Sequence, residues 1–346
     1  MNLNYIIPNR RLRTIVKGRI KRFLYLHFHN NKKALFHVLS KNPPIICVHH
    51  GDFYRHIPAA KILKNKKVYF LYGLRWSHED ERRVRRLGID YSRYKRKFPN
   101  HEILFLCNTP AEYKLFGKYK LHRIFCNKNA FIDEKIFRIL PKTRKKYNVI
   151  YNAVMRGYKR HYLASKLSNL ALITDLCEKE YFDETRKLLP NAIWLNFLSG
   201  NYKKLSSDEV AEYLNKSKTG LCLSKVEGQM SASAEYLLCG LPIVSTKSKG
   251  GRDVFFDKKY VKIVDDTPEA VKRGVSEMLK KNISPEFIRK KTLEKIQQHR
   301  ERFIKAIQEI YDKEGIDKNF RKEWSRVFID KMARVEDVAE LKNLFK

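Results

Sequence analysis

The chain has 346 residues, 43% of them hydrophobic, and carries 73 Lys and Arg against 37 Asp and Glu, a formal net charge of +36. That length and apolar content predict two domains of ordinary size with real cores, and the charge predicts attraction to polyanions: nucleic acid, anionic lipid or phosphorylated substrates. The six cysteines show no C-x-x-C pair and sit mostly in apolar strand-like runs, which excludes a disulfide or zinc framework and points to reduced thiols in a cytosolic protein. No apolar run approaches the ~18 residues of a membrane span, and the first residues lack the uninterrupted apolar region of a signal peptide. The expected location is the cytoplasm, at the inner face of a membrane.

Asn9 to Phe28 reads as a basic amphipathic helix. Leu12, Ile15, Val16, Ile20, Phe23 and Leu24 form its stripe, and Arg10, Arg11, Arg13, Lys17, Lys21 and Arg22 surround it. Such a helix either packs its stripe on its own domain or lies on an anionic membrane surface. Pro44 to Val48 is a β-branched buried strand ending at His49-His50-Gly51-Asp52. A helix is expected over Pro58–Leu63, a strand over Lys67–Tyr72, a charged helix over Trp76–Leu87, and strands over Glu102–Leu106 and Leu121–Cys126. Asn127 to Lys146 reads as an interdomain connection.

From Tyr147 the alternation restarts. Strands are expected at Asn148–Asn152, Leu170–Thr174, Ala192–Asn196, Gly220–Ser224, Pro242–Ser245 and Val261–Val264. Helices are expected between them at Lys159–Leu167, Glu178–Leu188, Ser207–Asn215, Ser231–Cys239 and Pro268–Lys280. Thr267-Pro268 is an N-cap with proline at the first helical position. A long basic helix spans Ser284–Lys313, and the tail is helical. Strands alternating with helices predict parallel sheets. The expected architecture is α/β, with domains at residues 1–140 and 147–283 and C-terminal helices at 284–346 that pack back on the first domain.

Ligands of open parallel sheets bind beyond the carboxyl ends of the strands. Four such ends carry candidate chemistry here. After Asn148–Asn152 come Arg156, Lys159 and Arg160, fixed cations suited to a phosphate-bearing ligand. After Pro44–Val48, His50 and Asp52 are suited to proton exchange or to binding a hydroxyl, and Gly51 offers a backbone amide. Arg75-Trp76-Ser77-His78 is a similar but weaker grouping, and Lys247 and Lys249 flank another strand end. Metal-ligand spacing is lacking, so neither a metal nor another cofactor is expected.

The densest motif is Thr219 to Asp257. It holds Glu227-Gly228, Glu235 eight positions after Glu227, Gly240-Leu241-Pro242-Ile243-Val244, and Gly250-Gly251. Eight residues at ~100° each return to nearly the same helix face, so both carboxylates are expected to address one ligand. This segment resembles the second domain of retaining glycosyltransferases of the family-4 type, glycosyl transferases group 1, which have the GT-B fold: two Rossmann-like parallel-sheet domains facing a central cleft. The sequence departs from the family pattern at Gln229-Met230 and at Arg252-Asp253.

The resemblance implies a nucleotide-sugar donor and a glycan or lipid-linked acceptor in surface polysaccharide synthesis. It assigns Arg156, Lys159 and Gly51 to the donor diphosphate and Glu235 to the ribose. It assigns Glu227 and the loop Gly228, Gln229 and Met230 to the donor sugar. The implied transfer is front-face, with the leaving phosphate taking the acceptor proton. Two other readings compete. One is a GT-B nucleotide-sugar epimerase, and the other is a basic nucleic-acid-binding protein. Against the second, the basic residues are spread along the chain and carry no nucleic-acid-binding signature, so nucleic acid is not the expected partner.

Overall fold

The computed structural model describes residues 33–48, 57–332 and 335–345. The basic helix expected over Asn9–Phe28 and the His49–Asp52 turn, with His50, Gly51 and Asp52, lie outside the described residues.

The first domain is built on β1 (Lys33–Lys41), β2 (Pro44–Val48), α1 (Ile57–Ile62), β3 (Val68–Gly73), α2 (Glu81–Lys97), β4 (His101–Cys107), α3 (Pro110–Lys118) and β5 (Arg123–Phe125). β2, β3, β4 and β5 pair in parallel, and β1 adds antiparallel to β2. Every residue of β3 is buried, as expected of a strand covered on both faces.

The second domain comprises β6 (Tyr147–Asn152), β7 (Leu170–Ile173), α4 (Lys179–Leu188), β8 (Ile193–Trp194), α5 (Ser207–Asn215), β9 (Ser217–Cys222), α6 (Ser231–Leu238), β10 (Ile243–Thr246), β11 (Val261–Val264) and α7 (Pro268–Lys280). Its sheet order is β11-β10-β9-β6-β7-β8, all parallel. The order reverses between β9 and β6, which puts the ligand crevice beyond their carboxyl ends.

α8 (Pro285–Lys313) joins the two domains. Its early residues Ile288 and Ile296 enter the second-domain core, and Phe303, Ile307 and Tyr311 pack beneath the first sheet. Between them Arg300 donates to the carbonyls of Ala130 (2.7 Å) and Ile132 (3.0 Å) and pairs with Glu134. After α9 (Phe320–Val327), β12 (Val335–Asp337) pairs antiparallel with β1, and α10 (Val338–Leu344) brings Leu341 into the first core. No helix among the described residues is long and apolar enough to cross a membrane.

Several local expectations are corrected. Lys159–Leu167 does not form an α-helix. It forms two short 3-10 turns, Gly157–Lys159 and His161–Ala164, broken at Arg160, whose φ is 55°. Tertiary bonds of the Arg160 guanidinium hold that conformation against helical preference. The charged helix starts at Glu81, not Trp76, because Asp80 caps it by accepting from Arg82 N at 2.8 Å. Sequence reasoning missed α3, although Thr109-Pro110 is the same capped start as Thr267-Pro268. It also missed the β1–β2 hairpin. Five cysteines are buried thiols, but Cys177 is exposed.

Candidate active site

The site lies where β6 and β9 end and the first domain leans over them. β6 ends at Asn152, and the chain turns through Arg156 to Lys159. Tyr151 anchors this turn by donating its hydroxyl to the Lys159 carbonyl at 2.5 Å. Arg156 is exposed, whereas Lys159 is buried. The Lys159 ammonium forms an ion pair with the Glu227 carboxylate, with side-chain exposures of only 8% and 6%. Arg160 faces away from the crevice. It donates to Leu223 O (2.7 Å) and Thr246 Oγ1 (2.7 Å) and pairs with Asp266 (2.6 Å). The charge expected of it at a diphosphate is therefore spent on holding β9 to β10.

Glu227 precedes α6 by four residues and is not on its helix, so the face argument for the two glutamates does not apply. The structure instead gathers both around the end of β6. Glu227 meets Lys159, and Glu235, buried within α6, accepts from Asn152 Nδ2 at 3.2 Å and pairs with Lys331 at 3.1 Å. Lys331 arrives from the C-terminal segment that crosses between the domains, a partner with no local sequence signal.

The Glu227–Met230 loop is stapled to the Gly250–Gly251 turn. Glu227 N donates to Lys249 O (2.9 Å) and Gly251 N to Gly228 O (2.8 Å). Two glycines are required here. Gly250 has φ 96°, and a Cβ there would lie 1.6 Å from Glu227 O. A Cβ on Gly228 would lie 2.5 Å from the main chain of Arg75. The loop therefore touches the first-domain wall directly. Arg252 is wholly buried and donates to Cys222 O (3.1 Å), Ser224 O (2.7 Å) and Thr246 O (2.5 Å). It satisfies the carboxyl ends of β9 and β10. Its role was not legible because its partners come from two strands. Ser233 is packing: its hydroxyl donates to Met230 O and Arg252 O. Lys247 and Lys249 are exposed.

First-domain residues complete the wall. The Glu79 carboxylate accepts from Thr109 Oγ1 (2.8 Å) and from Gly250 N (3.0 Å). Asn127 donates to Gly251 O (2.8 Å), and Asn129 donates to Met230 O (3.1 Å). Trp76 meets Tyr158 edge-on at 5.3 Å, and Tyr158 lies beside the Lys159 ammonium. Glu112 accepts from His78 N and Asn108 N, each at 2.7 Å. Burial pushes its carboxyl up to about 7, and burial lowers His78. Lys128, between the two bridging asparagines, is also buried, and burial together with Arg75 brings it down to about 7.

Three buried polar atoms on the segments that meet at this junction have no hydrogen-bond partner among the described residues: Ser224 Oγ, Gln229 Oε1 and Asn129 Oδ1. Buried polar atoms are normally paired, so each of these is free to meet a ligand hydroxyl or water. Among the described residues no group of His, Cys, Asp and Glu is placed to hold a metal ion.

Comparison with known proteins bears on the fold and the enzyme class. Residues 199–309 match the family described as glycosyl transferases group 1. No curated protein sequence matches the chain. A glycosyltransferase structure from Rickettsia africae is similar at a TM-score of 0.51 and 12% identity, over 79% of this chain and 77% of that one. The Anabaena protein HepE in complex with UDP and glucose is similar at 0.51 and 11% identity, over 86% and 75%. The pneumococcal O-GlcNAc transferase GtfA in complex with UDP and GlcNAc reaches 0.50 at 10% identity, over 70% and 53%. The fold is GT-B, two Rossmann-like domains meeting at a cleft, and the segment match supports a glycosyltransferase.

Proposed function

We propose that the chain transfers a sugar from a nucleoside diphosphate sugar to a glycan or lipid-linked acceptor, with retention at the anomeric carbon. The observation that carries this reading is the buried Lys159–Glu227 pair beyond β6 and β9, with Ser224 Oγ and Gln229 Oε1, unpartnered among the described residues, on the same segment as Glu227. A cation, a carboxylate and free acceptor atoms in one crevice suit a polyhydroxylated ligand that ends in a diphosphate.

In this reading Lys159 and Arg156 neutralise the departing diphosphate. Glu227 accepts from the sugar hydroxyls, and Glu235 accepts from the ribose. Gly228, Gln229 and Met230 line the sugar. The acceptor hydroxyl attacks on the face from which the diphosphate leaves, and the leaving phosphate oxygen takes its proton. His50 and Asp52 are assigned to the acceptor side and Gly51 to the diphosphate, by their place after β2. The enzyme is proposed to work in the cytoplasm on an anionic leaflet, a reading supported by the net charge of +36 and by the attraction of such a chain to anionic lipid.

A thermal-shift panel of nucleoside diphosphates and their sugar conjugates tests the donor site. The uridine series comes first, because HepE and GtfA carry UDP. One base is expected to stabilise the wild type, by ~2.7 kcal/mol at a hundredfold excess over Kd, and the response is expected to vanish in Glu235→Ala. No response to any nucleotide would sink the assignment. The anomeric configuration of the product, read by proton NMR, tests retention.

A further inference from the structure

Glu235 is buried in α6, with its side chain 5% exposed. Its two carboxylate oxygens have different partners: Oε1 pairs with the Lys331 ammonium at 3.1 Å, and Oε2 accepts from Asn152 Nδ2 at 3.2 Å. Among the described residues Lys331 is its one ion-pair partner. Lys331 is itself held in place. Its backbone takes the left-handed conformation, φ 60° and ψ 9°, which an L side chain adopts rarely and only where its surroundings impose it. The neighbouring Asp330 accepts from Asp133 N at 2.9 Å, which ties this turn to the segment between the domains. The ammonium lies 3.5 Å from the Asp330 carboxylate and 5.3 Å from the ring centroid of the buried Phe137.

A buried carboxylate without a cation is costly. From the second domain β6 brings Glu235 a neutral amide, and the balancing charge comes from the C-terminal segment. A carboxylate offers about four acceptor positions, two on each oxygen. Lys331 and Asn152 take one on each oxygen, which leaves one on each for a ligand. Two acceptor positions side by side suit a vicinal diol, such as the 2′- and 3′-hydroxyls of a ribose.

We propose that Lys331 is a positioning residue for the nucleotide: it neutralises Glu235 and fixes its oxygens so that the free position on each accepts one ribose hydroxyl. The Asp330–Met332 turn thereby completes the donor subsite from outside the second domain, and a ribonucleotide is selected over its 2′-deoxy counterpart. This rests on the assignment of Glu235 to the ribose above and deepens it.

The test titrates uridine diphosphate and 2′-deoxyuridine diphosphate into the full chain by calorimetry, as wild type, Lys331→Met and Asp330→Ala. If neither uridine compound binds, the guanosine, adenosine and cytidine pairs replace them. Wild type is expected to bind the ribonucleotide about tenfold tighter, the worth of one hydrogen bond to a charged acceptor. In Lys331→Met the ribonucleotide is expected to weaken about tenfold and the 2′-deoxy compound little, so the ratio between them falls towards one. Asp330→Ala loosens the turn and keeps the ammonium, and the ratio is expected to fall in the same direction by a smaller factor. If Lys331→Met does not fold, Asp330→Ala decides. A ratio unchanged from wild type, with both nucleotides weakened alike, would make Lys331 structural only and overturn the proposal. Tighter ribonucleotide binding in Lys331→Met would show that Lys331 competes with the ribose, and also overturns it. If wild type binds a nucleoside diphosphate without distinguishing the 2′-deoxy form, the positioning role is overturned while the donor class stands. If no nucleoside diphosphate binds wild type, the transferase reading fails and the role of Lys331 falls with it.

Discussion

Lys159 and Glu227 neutralise each other in a nearly water-free space at the junction of the two domains. In the proposed reading both serve the donor, so a bound nucleotide sugar would exchange this internal pair for external contacts. Removing one partner leaves the other charge buried and uncompensated, at a cost of about 3–5 kcal/mol. Lys159→Met and Glu227→Met are each expected to destabilise by that amount in urea unfolding. The double variant is expected to recover most of the loss while sugar transfer stays abolished. A double variant that also recovers transfer would make the pair purely structural.

The glycines of the loop set the distance between the domains. Gly228→Ala places a methyl 2.5 Å from the Arg75 main chain, so the first-domain wall must retreat. Stability is expected to fall by about 1–3 kcal/mol and transfer by at least tenfold. Gly250→Ala meets both a φ of 96° and a 1.6 Å contact with Glu227 O, and is expected to cost more. Equal effects in the two variants, read by thermal unfolding and small-angle scattering, would contradict this ordering.

Arg156 and Arg160 stand four residues apart and are expected to fail in opposite ways. Arg160→Ala removes bonds to Leu223, Thr246 and Asp266, a loss of about 2–4 kcal/mol. Arg156→Ala, at an exposed position, is expected to leave stability within about 0.5 kcal/mol and to reduce kcat/KM for the donor by roughly a hundredfold. Paired melting and steady-state kinetics decide it.

Lys128 ties stability to pH. Its folded value of about 7 lies below the ordinary 10.5, so folding buries a charge below about pH 7 and releases a proton between there and 10.5. The penalty is fully present below about pH 7 and fades as pH rises towards 10.5. Lys128→Met is therefore expected to raise unligated stability at pH 6, by on the order of 3 kcal/mol, and to give no gain near pH 10. A gain that does not change between pH 6 and pH 10 would assign it to packing alone.

What the sequence determined by itself is the succession of local elements. β11 and α7 fall where alternation and the Thr267-Pro268 cap place them, because period and capping are properties of neighbouring residues. The glycine and glutamate positions of the motif were also legible, since close approach and acidic acceptors announce themselves by residue type. Only the tertiary structure decided which cations are free. Arg160 looks like a ligand in the sequence but is held by Leu223 O, Thr246 and Asp266, and Arg252, a departure from the family pattern, is consumed by backbone carbonyls of two strands. Lys128 looks like one charge among many, but is buried between the two asparagines that bridge to Gly251 and Met230. Lys331 reaches Glu235 across 96 residues of chain. Whether a charge is paired or exposed depends on partners distant in sequence, and no local pattern carries that information.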